Sequence, residues 1–335
     1  MFKKIPKIAK ILLSILAGLV VILLLFYITI QTPFFKNRVR NYLNKKISQS
    51  TETDFNIGKI NGNLLSKAEF IDIYMKAGQD TILSVSNIRL DYSLFPLLRK
   101  LVNVDSIAVQ SPYINLEQLL SMLDNFSKQP DSVSRSESQE TKSNSKGYSL
   151  HLADFQVKQG TINLSQLSSH IPDKINNLNL QASGQYDQEQ QIFRLQKLSL
   201  KTSHPQYVLQ QLAFQLKKIK TRISLRDFQL TTAQNKLVAQ GYYNSRKKLA
   251  SFELDTDPIN FAEFQNLLSN RIPKVSPNVS LNAKYEQDSI QANFTTRQNS
   301  QKIGIQLSDT GVQNLINKTD EKAFKYSLEN DFQNL

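Results

Sequence analysis

The sequence predicts a mainly β protein. It opens with an N-terminal transmembrane helix and continues as a long, curled antiparallel β-sheet with a few short helices. Whether that sheet is an open groove or a sandwich is left undecided at this level. Three observations predict this. One stretch of twenty residues carries no charge, period-two alternation dominates from Phe55 onward, and only two later stretches carry helix caps.

The uncharged stretch is Ile11–Ile30, ILLSILAGLVVILLLFYITI. As a helix it spans about 30 Å, the thickness of a bilayer core. It exceeds a signal-peptide core and ends in Phe26, Tyr27 and Ile28 rather than a small-residue cleavage pattern. An uncleaved anchor is therefore expected. The chain's charge belongs to the flanks of this run. Nine of the 41 basic residues fall between Met1 and Lys46, where there is no acidic one; the remaining 32 face 28 acidic residues. A nucleic-acid-binding domain would carry its excess on a folded face, so no nucleic-acid partner is expected. The flanking charges nearly tie, but a short basic tail (1–10) before a long domain places the tail inside and the domain outside.

Thr32-Pro33 reads as an N-cap followed by proline in the first helical turn. Phe35, Val39, Leu43 and Ile47 then recur at helical spacing, with Tyr42 among them and Lys36, Arg38, Arg40, Lys45 and Lys46 around them. Over 31–47 this is an amphipathic helix, expected on a headgroup surface. Packing on the following domain explains the same pattern.

Beyond Phe55 the alternating sets include Ile71/Ile73/Met75, Ile88/Leu90/Tyr92, Leu150/Leu152, Ile162/Leu164, Leu178/Leu180, Leu212/Phe214/Leu216, Ile223/Leu225, Phe228/Leu230, Phe252/Leu254, Val279/Leu281 and Ile303/Ile305/Leu307. Each predicts a strand with one apolar and one polar face. Clean alternation favours antiparallel pairing with one face toward water. Asn115 caps a helix to about Phe126, and Asn260 one to about Ser269, with Glu263 three residues on. The surroundings of these two asparagines resemble each other, a weak internal repeat. The serine-rich stretch 127–147 is too polar to bury and predicts a flexible linker. It separates a first β segment, 48–126, from a second, 148–335. Roughly fifteen strands have only two short helices to cover them, so the apolar face closes as a sandwich or barrel or is left for a ligand.

Catalytic constellations are missing. His151, His170 and His204 fit no metal-ligand spacing, and there is no phosphate loop or nucleophile elbow. Ser143/Lys146 and Ser245/Lys248 have Ser-x-x-Lys spacing but lie in the linker and in a basic turn. The absence of cysteine removes thiolate chemistry. No enzyme activity, catalytic residue, cofactor or metal is expected.

The order of features resembles the AsmA-like family, including its TamB-like members. The resemblance is carried by Thr32-Pro33-Phe34-Phe35 through Ile47, by FNIGKI (55–60), by TILSVSNIRLDYSL (81–94), by VDSIAVQSPYINL (104–116) and by LHLADFQVKQGTINL (150–164). It covers residues 1–200 well and the rest loosely. It implies a single-pass protein of the inner membrane of a Gram-negative bacterium, with its N-terminus in the cytoplasm and its bulk in the periplasm. It further implies strands curled into a hydrophobic groove of the bridge-like lipid-transfer type. Roles implied are phospholipid transport between inner and outer membrane, or support of outer-membrane protein assembly through strand-edge pairing. The partners are then membrane phospholipids and outer-membrane assembly proteins. TamB-like members are far longer, so a fragment and a short relative both stay open. The lining expected for such a groove is Ile71, Ile73, Ile88, Leu90, Leu150, Leu152, Leu178, Leu180, Phe214, Leu216, Ile223 and Leu225.

Overall fold

The computed structural model describes residues 18, 21, 24–25, 27–128, 148–164, 171–264, 276–286, 289–298, 301–307 and 326–330. The expected span Ile11–Ile30 falls mostly outside these. Its described residues, Gly18, Val21, Leu24, Leu25 and Tyr27–Ile30, are helical. Among the described residues no helix is long and apolar enough to cross a membrane. Residues 129–147, most of the expected linker, and the continuation of the second capped helix beyond Phe264 also lie outside.

Helix α1, Pro33–Thr51, starts where the sequence places it. Thr32 is extended, its Oγ1 accepts the Phe35 N–H at 3.3 Å, and Pro33 occupies the first turn. It runs four residues past the expected end and stops at Glu52, whose φ of 51° is left-handed.

Sixteen strands then form one sheet. They are β1 Asp54–Asn61, β2 Lys67–Ala77, β3 Asp80–Ser93, β4 Leu101–Gln110, β5 Tyr113–Asn115, β6 Ser149–Asn163, β7 Lys174–Tyr186, β8 Gln190–Ser203, β9 Val208–Ile219, β10 Arg222–Thr232, β11 Lys236–Asn244, β12 Leu249–Thr256, β13 Asn278–Glu286, β14 Ser289–Gln298, β15 Gln301–Leu307 and β16 Tyr326–Asn330. Apart from short β5, each strand pairs with its sequence neighbours, so the two expected β segments join in one sheet.

The expectation of an antiparallel sheet needs one correction. β4 and β5 both pair with β6 in parallel. A hairpin turn cannot make a parallel pair; the chain has to cross over and re-enter from the same end. Helix α2, Leu116–Lys128, lies in the connection between the two strands. Asn115 Oδ1 accepts the Gln118 N–H at 3.4 Å at its start, but Leu120 and Leu123 stay exposed.

The sheet is creased. Asp72 in β2 has φ 54°, Ser111 between β4 and β5 49°, Gln159 in β6 56°, Asn177 in β7 50° and Asp227 in β10 52°. Register shifts accompany the creases in β6, β7 and β10. Such bulges bend a strand and increase its twist locally. At the first crease Gly58 lies close against Asp72: a Cβ there would stand 3.0 Å from Asp72 Cβ and 3.2 Å from Ile71 O, so any larger residue has to push these neighbours aside.

The closed core is local. Ile57, Ile60, Ile73 and Val85 form it, with Phe70, Ile88 and Val109 beside them and Val39 and Leu43 of α1 above. Beyond β3 the buried apolar side chains among those described are Pro112, Ala182 and Leu195. A sandwich would bury one face of every strand; among the described residues the apolar side chains of β6–β13 stay mostly half-buried or exposed. Polar cross-strand pairs occupy the other face. Gln181 Nε2 donates to Asp154 Oδ1 at 3.0 Å, Arg194 Nη2 to Gln215 Oε1 at 2.9 Å and Gln240 Nε2 to Glu253 Oε2 at 2.7 Å.

Candidate lipid-binding cleft

Strand register lines up the apolar residues of β6–β13 into rows, because directly paired residues share a face. The row nearest one end of the strands is Leu150, Tyr186, Gln191, Lys218, Ile223, Tyr243, Ala250 and Tyr285. The second is Leu152, Gly184, Phe193, Leu216, Leu225, Gly241, Phe252 and Ala283. A third holds Phe155, Ala182, Leu195 and Phe214, then Phe228, Ala239, Leu254 and Leu281. The fourth holds Val157, Leu180, Leu198, Leu212, Leu230 and Leu237.

The first two rows enclose a cleft of about 410 Å³ lined by Leu150, Leu152, Tyr186, Phe193, Leu216 and Ile223, with Gly184 in its floor. Its walls are unusually exposed for such side chains: Leu150 and Phe193 are 44 % accessible, Leu216 39 % and Ile223 46 %. Beneath it Phe193, Phe214 and Phe228 form an aromatic strip, with ring centroids 5.8 Å and 6.2 Å apart. Exposed apolar side chains gathered in this way make the cleft a candidate binding face.

The expected lining separates into three groups. Leu150, Leu152, Leu216 and Ile223 meet in the cleft, and Phe214 and Leu225 belong to rows beside them. Leu178 and Leu180 share the face farther along β7, opposite Gly160 and Val157. Ile73 and Ile88 also face this side, but they sit in or against the core beneath α1, and Leu90 pairs with Ala68 next to it. Ile71 points the other way. The positive φ at Asp72 resets the alternation, so Ile71 pairs with Lys59 and Asn87 while Phe70 and Ile73 face the core. Simple alternation missed Gly184, Tyr186 and Phe193. Adjacent Ile192 and Phe193 made the face of β8 ambiguous, and a glycine has no side chain for a period to register.

Helix α1 uses its expected apolar side against the sheet. Phe35, Val39, Leu43 and Ile47 are half-buried, as are Lys36 and Arg40. Arg38, Lys45 and Lys46 are exposed, together with Phe34 and with Tyr42, which the helical spacing places among the apolar set. The stripe Arg40, Asn44 and Ser48 caps the edge of β1. Arg40 Nη1 donates to Gly58 O at 2.9 Å, the Ile57 N–H donates to Asn44 Oδ1 at 2.9 Å, and the Phe55 N–H donates to Ser48 Oγ at 3.0 Å. An edge strand with its backbone groups so occupied cannot recruit another strand.

Nothing in the described residues assembles a reaction centre. No group of three or more potential metal ligands occurs among them. His151 Nδ1 lies 2.8 Å from Asn103 Oδ1, His204 lies 3.6 Å from Asp173, and His170 falls outside the described residues. Glu263, expected to complete a capping box, instead accepts the N–H groups of Ala233 at 3.0 Å and Gln234 at 3.2 Å, tying the β10–β11 turn to its helical turn, Phe261–Phe264.

A single long β-sheet, creased, capped by a helix at one edge and carrying rows of apolar side chains along β6–β13, defines an extended β-sheet protein. The chain belongs to the AsmA family, whose model matches residues 5–200. The match ends within β8, so the Leu150 and Phe193 side of the cleft lies inside it and the Leu216 and Ile223 side beyond it. No curated protein and no solved structure matches the chain.

Proposed function

We propose that the chain binds the acyl chains of membrane phospholipid along the apolar face of β6–β13 and lets them move across it, as a passive conduit rather than a catalyst. The observation that carries this is the uncovered cleft of Leu150, Leu152, Phe193, Leu216 and Ile223. Each methylene transferred from water to such a surface gains about 0.8 kcal/mol. Movement from row to row changes little in energy, because neighbouring rows present similar side chains. Membership of the AsmA family supports an envelope role. In this reading Ile11–Ile30 anchors the chain in the inner membrane and the sheet lies in the periplasm. The outward side of α1, with Phe34, Arg38, Tyr42, Lys45 and Lys46, rests at the headgroup level, where aromatic and basic side chains are favoured.

Strand-edge pairing with an outer-membrane assembly partner is the competing reading. The β1 edge is occupied by Arg40, Asn44 and Ser48, which confines such pairing to the β16 side.

The deciding experiment is site-specific photocrosslinking in cells. The probe is placed at Leu216, on the apolar face, and at Gln215, on the polar face. Lipid adducts at Leu216 and none at Gln215 are expected. Adducts at neither position, with lipid absent from the purified chain by mass spectrometry, would sink the proposal.

A further inference from the structure

The apolar face is not uniform from one end of its strands to the other. Among the described residues of the four rows, Lys218 alone is charged, and it stands in the outermost row. Beside it are Gln191 and Ile223, with Tyr186 and Tyr243 one strand further on either side; both tyrosines are exposed. Lys217 and Lys218 both border the cleft. The turns at this end continue the bias: Lys220 follows β9, Arg222 opens β10, and Arg246 and Lys247 lie between β11 and β12, all exposed. Turns 204–207 and 233–235, at the other end of the same strands, contain neither lysine nor arginine. Among the described residues the acidic ones at this edge are Asp187 and Glu189 of the β7–β8 turn and Glu286 of β13. Asp187 is already engaged, its Oδ1 accepting from the N–H groups of Glu189 at 3.0 Å and Gln190 at 2.6 Å. No ion pair among the described residues involves Lys217, Lys218, Lys220 or Arg222.

An amphipathic row of tyrosine, glutamine and lysine beside rows of leucine and phenylalanine reproduces the polarity of a membrane interface. From the first row to the fourth is roughly 20 Å along a strand. One leaflet of acyl chain is about 15 Å.

Resting on the acyl-chain reading above, we propose that this face selects anionic phospholipid and fixes its orientation. The phosphate sits at Lys218 and the basic turns around it, and the tails run across the second to fourth rows. Lys218 supplies the charge discrimination, Tyr186 and Tyr243 flank the headgroup, and Phe193, Leu216 and Leu225 receive the tails.

The test is a competition. The full-length chain in mixed micelles is offered equal amounts of phosphatidylglycerol and phosphatidylcholine, repurified, and its bound lipid quantified by mass spectrometry. Phosphatidylglycerol is expected to be enriched, and Lys218→Gln to reduce that enrichment roughly fivefold. Lys236→Gln, on the opposite edge, keeps the wild-type ratio. Equal uptake of both lipids by the unaltered chain would overturn the selectivity while leaving the acyl-chain reading standing, and so would an enrichment that survives Lys218→Gln. A chain that takes up neither lipid removes both.

Discussion

Gly184 of β7 lies directly opposite Phe193 of β8, so the ring borders a position with no side chain and the cleft gains its depth there. A Cβ built on Gly184 would meet only Ile192 O, at an ordinary 3.6 Å. The backbone therefore tolerates a larger residue, and that residue would project into the cleft. Gly184→Trp is expected to keep the circular-dichroism spectrum and the thermal midpoint within a few degrees of the parent. Lipid recovered with the purified chain should fall severalfold. Loss of folding with the tryptophan, or lipid retained at the parental level, would contradict this placement of the site.

Gly241 stands in the same row, facing Phe252, and behaves oppositely. A Cβ there would lie 2.7 Å from Ser251 O, closer than real contacts allow, and a tight 3.1 Å from Phe252 Cδ2. Gly241→Ala is expected to cost about 1–3 kcal/mol through forced backbone and ring displacement. Urea denaturation of Gly241→Ala and Gly184→Ala side by side checks it: only the first should lose stability.

The two glycines also mark what the sequence does and does not make legible. The period-two apolar sets identify the strands and bring Leu150, Leu152, Leu216 and Ile223 together, because pairing residues of like face is what a sheet requires. Alternation holds only while the backbone stays regular. At Asp72 one left-handed residue reverses it, and Ile71 leaves the face that Ile73 keeps. Parallel pairing of β4 with β6 is likewise unreadable from period, since either direction presents the same side chains to the same face. Helix α1 shows a third limit. The apolar spacing of Val39 and Leu43 is satisfied equally by lipid and by a protein core, and in the structure they meet Ile57, Ile73 and Val85.

The cap on β1 gives a stability prediction. Asn44 Oδ1 accepts the Ile57 N–H at 2.9 Å, and its Nδ2 reaches Asn56 Oδ1 at the same distance. Removing that amide leaves a half-buried backbone donor without a protein partner and frees part of the sheet edge. Asn44→Ala is expected to destabilise by about 1–3 kcal/mol. It should also raise the tendency of the chain to associate, read as a concentration-dependent rise in sedimentation coefficient. A destabilised but strictly monomeric variant would show that α1 supports the fold without guarding the edge.

Glu69 gives a pH dependence. Its carboxylate accepts from Asn87 Nδ2 at 2.8 Å, the largest influence, and lies 3.3 Å from Arg89 Nη2; both hold its pKa below the ordinary value. A carboxyl group whose folded pKa is depressed contributes stability above its unfolded pKa and loses it as pH falls through the folded one. The contribution is therefore full near neutrality and fades in mild acid. The Arg89 pair is solvent-exposed, so its size stays under about 1 kcal/mol and shrinks in high salt. In urea titrations Glu69→Gln should trail the parent at pH 7, and the gap should close on acidification below about pH 4, in the range of an ordinary or lowered carboxyl pKa. A gap that widens in acid would mean that Glu69 acts through its packing against Asn87 rather than through its charge.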